Sequence, residues 1–373
     1  MEIYLDNAAT SHPKPECVVE AVTEALTLGN ANPGRSSHTR AIRAMRMMVS
    51  AREAVAGAVG AEAEDVCFAL NGTDALNEAV KGALAHGGHV VATTLEHNSV
   101  LRPIVRMLQR GQAELTLVKP GEDGTVDPED IRRAVRADTA LVVCTHASNV
   151  TGAIQPVEAI GGITREMGIP YLVDGAQALG AVPVDVKKIG CQMYAFPGHK
   201  GLLGPQGTGG LYIQHGWDIE PIRQGGTGTS SHRLTQPEER PERYESGTQN
   251  LPGLWGLNAG ARYAMARLTE TMRIEAELTE MLLMGLHELG AEVYAPAARR
   301  VGTVSFNMPG LTSAQVTDRL DGAGICVRGG LHCAPLCHRD LGTYERGAVR
   351  VSVGPQNQRE DIEALLSALR EMG

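Results

Sequence analysis

Between residues 66 and 213, short apolar runs alternate with segments in which apolar positions recur every three or four residues. The first pattern predicts buried strands and the second predicts helices that connect them. Strands that alternate with helices form a mostly parallel sheet covered on both faces, so the predicted fold class is α/β. The predicted strands are 66–70, 90–93, 115–118, 141–145, 171–173, 193–196 and 210–213, with helices near 71–85, 100–110, 128–136 and 156–167.

The flanking segments have other patterns. Helical spacing is found at 16–28 and 39–58, separated by a stretch of loop composition at 29–34, whereas 214–250 lacks periodicity and is rich in Gly, Thr, Pro and charge. A long patternless segment is typical of a site or an interface. A helical pattern over 251–289, interrupted near Leu268-Thr269, leads into a smaller α+β unit. We therefore predict a large domain of residues 15–255 and a small domain of 1–14 with 256–373. The small unit has predicted strands at 301–307, 325–327 and 348–353 and helices at 313–321 and 359–372.

Composition narrows the class of protein. The 373 residues carry a net charge of -9, which argues against a nucleic-acid-binding surface. No apolar run approaches the roughly 20 residues of a membrane span, and no signal peptide is visible, so we expect a cytoplasmic protein. Seven scattered cysteines without a Cys-x-x-Cys motif argue against a disulfide framework and against a metal site.

One lysine stands out among the six in the chain. Lys200 follows the predicted strand 193–196, directly after Pro197-Gly198-His199 and before another Gly-rich turn. In α/β proteins such a position between a strand end and a flexible turn often carries function. Two interpretations remain open here: a Schiff-base lysine, which needs a partly desolvated amine, and an ordinary surface lysine.

Four other strand ends carry candidate groups. Gly72-Thr73-Asp74 opens a helix, where free N–H groups and the helix dipole favour a phosphate, although a simple N-cap has the same composition. His97 follows strand 90–93 and can stack on a flat ring or shuttle a proton, or be an ordinary loop histidine. Asn149 lies in a small polar run after strand 141–145. Asp174 directly follows strand 171–173, and a buried aspartate needs a cationic partner, such as a protonated pyridine nitrogen.

Taken in order, these motifs resemble the class V aminotransferase-fold enzymes, and within them the cysteine desulfurases and selenocysteine lyases. The resemblance covers nearly the whole chain. The blocks that carry it are Tyr4-Leu5-Asp6-Asn7-Ala8-Ala9-Thr10, Asp174-Gly175-Ala176-Gln177, Gly198-His199-Lys200, Arg328-Gly329-Gly330-Leu331-His332-Cys333 and Arg350-Val351-Ser352.

The resemblance implies a homodimeric fold-type I enzyme with pyridoxal 5'-phosphate bound to Lys200. It also implies substrate contacts through Asn149, Arg328 and Arg350, where the planar guanidinium matches a carboxylate. The cofactor contacts that it implies are Asp174 to the pyridine nitrogen, His97 stacked on the ring, Gln177 to the phenolic oxygen, Thr73 and His199 to the phosphate with Asp74 beside them, and Thr227 to the phosphate of the neighbouring subunit.

Cys333 decides the reaction that the resemblance implies. It follows Gly329-Gly330 and precedes Pro335, a composition that predicts a loop, and Arg328 and His332 nearby can favour the nucleophilic thiolate. The matching cysteine of the family attacks the sulfur of L-cysteine and becomes a persulfide, which then passes to an acceptor. A buried structural cysteine is the alternative interpretation.

Two departures from the family pattern are present. Pro197 stands where many desulfurases have serine, which removes a phosphate contact, and Cys337 is a second cysteine close to Cys333. We interpret Cys337 as a neutral replacement rather than as a redox partner. Other functions that the sequence leaves open are selenocysteine lyase, another class V reaction such as amino transfer, and a non-enzymatic sulfur-handling scaffold.

Overall fold

The computed structural model describes residues 2–28, 31–33, 38–229 and 231–372, so half of the loop predicted at 29–34 lies outside the described residues. The strands are β1 (Ile3–Tyr4), β2 (Val66–Ala69), β3 (Gly88–Thr93), β4 (Ala113–Val118), β5 (Thr139–Thr145), β6 (Tyr171–Asp174), β7 (Met193–Pro197), β8 (Gly209–Ile213), β9 (Glu292–Val293), β10 (Thr303–Asn307), β11 (Ile325–Cys326), β12 (Arg328–Gly330) and β13 (Ala348–Ser352). The helices are α1 (Glu16–Thr27), α2 (Thr39–Val59), α3 (Gly72–Ala83), α4 (Asn98–Gln109), α5 (Pro128–Ala134), α6 (Val157–Met167), α7 (Val186–Ile189), α8 (Leu251–Ala266), α9 (Leu268–Glu288), α10 (Ser313–Gly322), α11 (Pro335–Asp340) and α12 (Arg359–Arg370).

A seven-stranded sheet forms the centre of the molecule, in the order β2-β8-β7-β6-β5-β3-β4. The strands β3 to β7 are parallel to one another, and β8 runs antiparallel to both of its partners, β2 and β7. Alternate residues of these strands enter two separate apolar clusters, one on each face; Val142 and Val173 belong to one, Val143 and Leu172 to the other. The α/β class with a mostly parallel sheet, predicted from the apolar runs, is confirmed.

The register of this sheet brings its functional strand ends together. Thr145 at the end of β5 pairs with Asp174 at the end of β6, and Asp174 pairs with Ala195 in β7. Because parallel strands end at the same edge, the segments that follow β3, β5, β6 and β7 open at one side of the sheet. This edge is where the candidate site lies.

The carboxyl-terminal part contains a four-stranded antiparallel sheet, β12-β13-β10-β9, with its own apolar cluster against α9 and α12. The amino-terminal strand β1 pairs in parallel with β11, so the first residues join this smaller unit. The predicted interruption near Leu268-Thr269 is confirmed, since α8 ends at Ala266 and α9 begins at Leu268. The proposed boundary at 255/256 falls inside α8, which packs on α1 and α2.

Some short elements escaped prediction because they are too short for a periodic pattern. Residues 328–335 were predicted to be a loop that stops at Pro335, but 328–330 form β12, and Pro335 is the first residue of α11. Proline suits that position because its missing N–H has no partner in the first turn of a helix. In the described part of 214–250 no helix or strand is present, as predicted. None of the helices in the described ranges is both long and apolar enough to cross a bilayer.

Two adjacent glycines of α6 offer a test of how this helix packs. A Cβ at Gly161 would overlap with the carbonyl oxygen of Ile189 in α7, whereas a Cβ at Gly162 meets nothing within 4 Å. We expect Gly161→Ala to lower the free energy of unfolding by about 1–3 kcal/mol through overpacking. The matched change Gly162→Ala should raise it by about 0.5–1 kcal/mol, because alanine favours the helix. Thermal unfolding of the two variants measures this, and equal midpoints would contradict the packing.

Candidate active site

A cavity of about 230 Å³ opens at the carboxyl edge of the large sheet. Its walls come from both parts of the molecule, because β12 and β13 supply residues as well as the large sheet. Of the residues predicted from the sequence, those that line it are Thr73, His97, Asn149, Asp174, Gln177, His199, Lys200, Arg328, Cys333 and Arg350. Residues distant in the sequence therefore meet around one volume.

Lys200 lies just beyond the end of β7, and its amine is held in the interior of this cavity. Burial, with charge repulsion from Arg350, lowers the pKa of Lys200 to about 8, and Asp174 acts in the opposite direction. About a tenth of the amine is therefore unprotonated at pH 7, far more than for an ordinary lysine, and an unprotonated amine is what a Schiff-base lysine requires. The interpretation of Lys200 as an ordinary surface charge does not fit this position.

Asp174 ends β6 and is only 3% exposed. One carboxylate oxygen accepts the N–H of Ala176 at 2.9 Å. Burial raises the pKa of Asp174, and this backbone hydrogen bond and Lys200 oppose the rise. Gly175 lets the chain pass close to Tyr194 here, because a Cβ would run into the ring of Tyr194. A buried carboxylate with one satisfied oxygen has room for a further cationic partner.

His97 is the N-cap of α4, and its Nδ1 accepts the N–H of Ser99 at 3.0 Å. Burial lowers the pKa of His97 to about 4, and Lys200 and Arg102 lower it in the same direction. The ring is therefore neutral, and its proton is on Nε2. Ser99 also lines the cavity, and its hydroxyl lies 2.7 Å from that of Thr73. Sequence reasoning missed Ser99; its place two residues after a histidine at a helix start was the available signal.

Cys333 sits in an exposed turn with an unusual backbone. His332 has φ 50° and Cys333 has φ 59°, a left-handed conformation that costs non-glycine residues on the order of 1–3 kcal/mol. Two hydrogen bonds hold the turn from outside: Asn149 Nδ2 donates to the carbonyl of His332 at 2.5 Å, and the N–H of Asn98 donates to the carbonyl of Cys333 at 2.8 Å. The thiol is exposed at the cavity wall, so the interpretation as a buried structural cysteine is wrong.

Behind this turn lies a buried pair of histidines. His332 Nε2 lies 3.3 Å from the carbonyl of Arg328, His332 Nδ1 lies 3.2 Å from His338 Nε2, and His338 Nδ1 lies 2.7 Å from the hydroxyl of Thr343. Because a carbonyl only accepts, His332 Nε2 donates to it, and His338 Nε2 then donates to His332 Nδ1. Burial lowers the pKa of both rings, that of His338 to about 4. Both rings are therefore neutral at pH 7 and serve as a scaffold for the turn.

Cys337 is not part of the reactive surface. It is 1% exposed in the core beside Val150 and Leu179, and burial raises the pKa of its thiol to about 12. A thiol held protonated in a packed core is a poor nucleophile. This position favours the interpretation of Cys337 as a neutral replacement.

Arg350 comes from β13 and is 2% exposed. Its Nη2 donates to Asp6 at 2.8 Å and its Nη1 donates to the carbonyl of Asn149 at 3.1 Å. Its Nε is buried and has no hydrogen-bond partner among the described residues, and Arg350 is part of the wall of the cavity. Arg328 pairs with Arg350 across β12 and β13 and is exposed. Two guanidinium groups therefore border the same volume.

The opposite end of the cavity is formed by the start of α3. Gly72 is its first residue, and a Cβ there would stand 3.3 Å from the ring of Pro197, so proline closes this wall without supplying a donor. Thr73 contributes a hydroxyl, and the buried Nδ1 of His199 has no partner within the described part of the chain. Free N–H groups of a helix start, a hydroxyl and an unpartnered imidazole suit a phosphate.

Two predicted residues lie elsewhere. The carboxylate of Asp74 accepts the N–H of Leu70 at 2.8 Å and pairs with Arg223 at 3.0 Å, so it shapes the turn rather than facing the cavity. Thr227 lies on the surface of the segment 214–250, with its hydroxyl 3.3 Å from the carbonyl of Thr229. The single chain does not bring Thr227 to the site, and its contact with a neighbouring subunit stays a prediction.

The residues present fit pyridoxal 5'-phosphate. The phosphate end has Thr73 and the unpartnered His199 Nδ1, and Asp174 has the carboxylate oxygen that a protonated ring nitrogen needs. Lys200 supplies the amine. Gln177 donates one hydrogen to the carbonyl of Ala8 at 3.1 Å, and the second hydrogen of its amide remains for a ring substituent.

Comparison with known proteins agrees with this chemistry. The model of the Aminotransferase class-V family matches residues 3–365. A probable cysteine desulfurase of Methanothermobacter thermautotrophicus is 39% identical, over 99% of this chain and 94% of its own, and one of Pyrococcus abyssi is 36% identical, over 99% and 94%. The solved apo structure of a cysteine desulfurase from Thermococcus onnurineus is 36% identical, with a TM-score of 0.93 over 100% of this chain and 94% of that one.

The histidine pair behind the turn should make stability sensitive to acid. His338 has a folded-state pKa of about 4, below the roughly 6.5 of an unfolded histidine, so only the unfolded chain gains a proton as pH falls from 6.5 toward 4. We expect His338 to lower the free energy of unfolding by about 2 kcal/mol between pH 7 and pH 5. Urea unfolding of His338→Asn should show a smaller loss over this interval than the wild type. His287→Asn, at an exposed position, is the control and should keep the wild-type slope.

Proposed function

The chain belongs to the class-V aminotransferase family, and on that premise we propose that it is a pyridoxal-phosphate-dependent cysteine desulfurase. It converts L-cysteine to L-alanine and leaves the sulfur as a persulfide on Cys333. The observation that carries the proposal is that an amine of lowered pKa, Lys200, and an exposed thiol, Cys333, border one cavity of about 230 Å³. An aminotransferase reaction requires the first of these groups but not the second.

The residues that line the cavity would hold the cofactor. Thr73 and His199, whose buried Nδ1 has no partner within the described chain, would bind the phosphate, Asp174 would pair with the ring nitrogen, and His97 would lie against the ring. When bound, pyridoxal phosphate supplies an electron sink for the electron pair left by the broken Cα–H bond. Asp174 suits this because its carboxylate favours a protonated ring nitrogen.

The substrate is oriented by the arginines and by Asn149. A carboxylate of an amino acid would pair with the guanidinium of Arg350, which Asp6 and the carbonyl of Asn149 hold in place. Arg328 adds positive charge at the exposed rim. Because Asn149 also donates to the carbonyl of His332, the group that fixes Arg350 fixes the cysteine turn as well. Carboxylate and thiolate are thereby set relative to one another.

Two side chains then carry out the transfer of the proton and of the sulfur. The amine of Lys200, partly unprotonated near neutral pH, removes the Cα proton. The thiolate of Cys333 attacks the substrate sulfur, so that an S–S bond forms as the C–S bond breaks; the electron pair of that bond stays with the carbon fragment, which is protonated to alanine. The persulfide is released to an acceptor thiol.

We further propose a cytoplasmic homodimer. Support comes from the outer face of α2, where Ile42, Met45 and Val49 are exposed, next to a cavity of about 280 Å³ bordered by Met45, Val49 and Thr227. A second copy that covers this face is the arrangement in which Thr227 can reach a neighbouring phosphate. The seven cysteines are unpaired, which suits a reducing compartment.

The two cysteines near the site provide a matched test of sulfur transfer. Cys333→Ala should keep the yellow, cofactor-loaded protein but lose sulfide and alanine production from L-cysteine, because the nucleophile is gone. Cys337→Ala, in the core, should retain both activities. Absorbance and product analysis measure this. Normal turnover of cysteine by Cys333→Ala would exclude the mechanism. A colourless wild type would favour a non-enzymatic sulfur-handling scaffold. If the wild type produced alanine from selenocysteine but not from cysteine, the result would favour a selenocysteine lyase.

The arginines make a second matched pair. Arg350→Lys keeps the charge but loses the planar fork, so we expect KM for L-cysteine to rise about tenfold to hundredfold, since a charge-assisted hydrogen bond is worth about 1.5–3 kcal/mol. Arg328→Lys, at the exposed rim, should raise KM much less. Steady-state alanine formation gives both values. A larger effect at Arg328 would assign the carboxylate to that residue instead.

A further inference from the structure

The hydroxyl of Ser99 stands in the middle of a chain of contacts inside the cavity. Its Oγ lies 2.7 Å from Oγ1 of Thr73 on one side and 2.9 Å from Nδ1 of His97 on the other. The N–H of Ser99 donates to the same Nδ1 at 3.0 Å. The chain thus connects the start of α3, at the phosphate end, with the ring that lies against the cofactor.

The number of protons in this chain is fixed. Thr73 and Ser99 carry one hydroxyl hydrogen each, and Nδ1 of His97 carries none because it accepts a backbone N–H. Without an anion, Thr73 donates to Ser99 and Ser99 donates to Nδ1, and both contacts are satisfied. If Thr73 donates to an anion instead, its oxygen can only accept from Ser99. Ser99 then has no hydrogen left for His97.

We propose that Ser99 is a positioning residue that reports phosphate binding at Thr73 to His97 by reversing this hydrogen-bond chain. Occupation of the phosphate end takes the hydroxyl donor away from Nδ1 and leaves the ring with its backbone donor alone. The ring becomes more electron-rich as a result. The inference rests on the proposed function, since the anion is the phosphate of pyridoxal phosphate. It goes beyond that function by coupling the contact at Thr73 to the contact at His97.

The charged groups around His97 keep its ring neutral. The charged groups that act on the ring are all cationic and oppose its protonation: Lys200 beyond β7, Arg102 in α4, Arg328 in β12 and Arg350 in β13. Asp174 and Cys333 border the same cavity. Nδ1 therefore remains an acceptor at neutral pH, and a change at Nδ1 reports its hydrogen bonds rather than a titration.

The test is ¹⁵N NMR of the full chain, labelled at histidine and free of cofactor, with inorganic phosphate added at neutral pH. The Nδ1 signal of His97, assigned by its loss in His97→Gln, should shift downfield in the wild type as one donor leaves. In Ser99→Ala the signal should start downfield and shift much less, since no hydroxyl donor is present to lose. Ser99→Thr keeps a hydroxyl and should restore the response.

Controls separate this coupling from general effects. Asn98→Ala changes the neighbouring residue of the same helical turn and should leave the wild-type response, while Thr73→Val should abolish it without touching Ser99. Equal shifts in wild type and Ser99→Ala, or no phosphate response in the wild type, would overturn the inference. Alanine production by the cofactor-loaded wild type tests the proposed function separately, so the two can fail independently.

Discussion

The positions of Asp174 and Lys200 in this site depend on the parallel register of β5, β6 and β7. That register sets Thr145, Asp174 and Ala195 side by side, and so fixes Asp174 at the middle of the sheet edge with Lys200 beyond the next strand. A shift of one residue would turn the carboxylate of Asp174 toward the opposite face of the sheet, into an apolar cluster. The strands resist such a slip because both faces are packed, one against each cluster. The position of Asp174 is thus enforced by apolar packing far from its carboxylate.

The cysteine turn is held by a different principle. The backbone of His332 and Cys333 is in a conformation that the chain would not choose locally, so the turn depends on contacts from Asn98, Asn149 and the buried His338. These contacts come from three separate segments. The thiol of Cys333 is exposed, so packing does not fix its position. Hydrogen bonds to the carbonyl groups of His332 and Cys333 hold the turn instead.

Much of the site could be predicted from the sequence, because its groups follow strand ends and their motifs are local. Lys200, Asp174 and Cys333 are of this kind, and all three line the cavity. Other features depend on neighbours distant in the sequence. Asp74 looked like a phosphate contact, yet Arg223 and the N–H of Leu70 take its carboxylate. Ser99 was missed because its importance comes from Thr73, 26 residues away. The predicted boundary at residue 255 falls inside α8, which packs on α1 and α2, and it stays a prediction.

The ion pair of Asp6 with Arg350 joins residues separated by 344 positions, and Asn7 likewise donates to the carbonyl of Ser352 at 3.1 Å. During synthesis the first segment must wait for almost the whole chain before its partners exist. Contacts of such separation carry a large loop-closure entropy and form late. The large sheet, whose last strand ends at Ile213, can therefore assemble while Arg350 is still absent from the nascent chain. The side of the candidate site that the large sheet supplies is then complete before the arginine proposed to hold the substrate carboxylate exists.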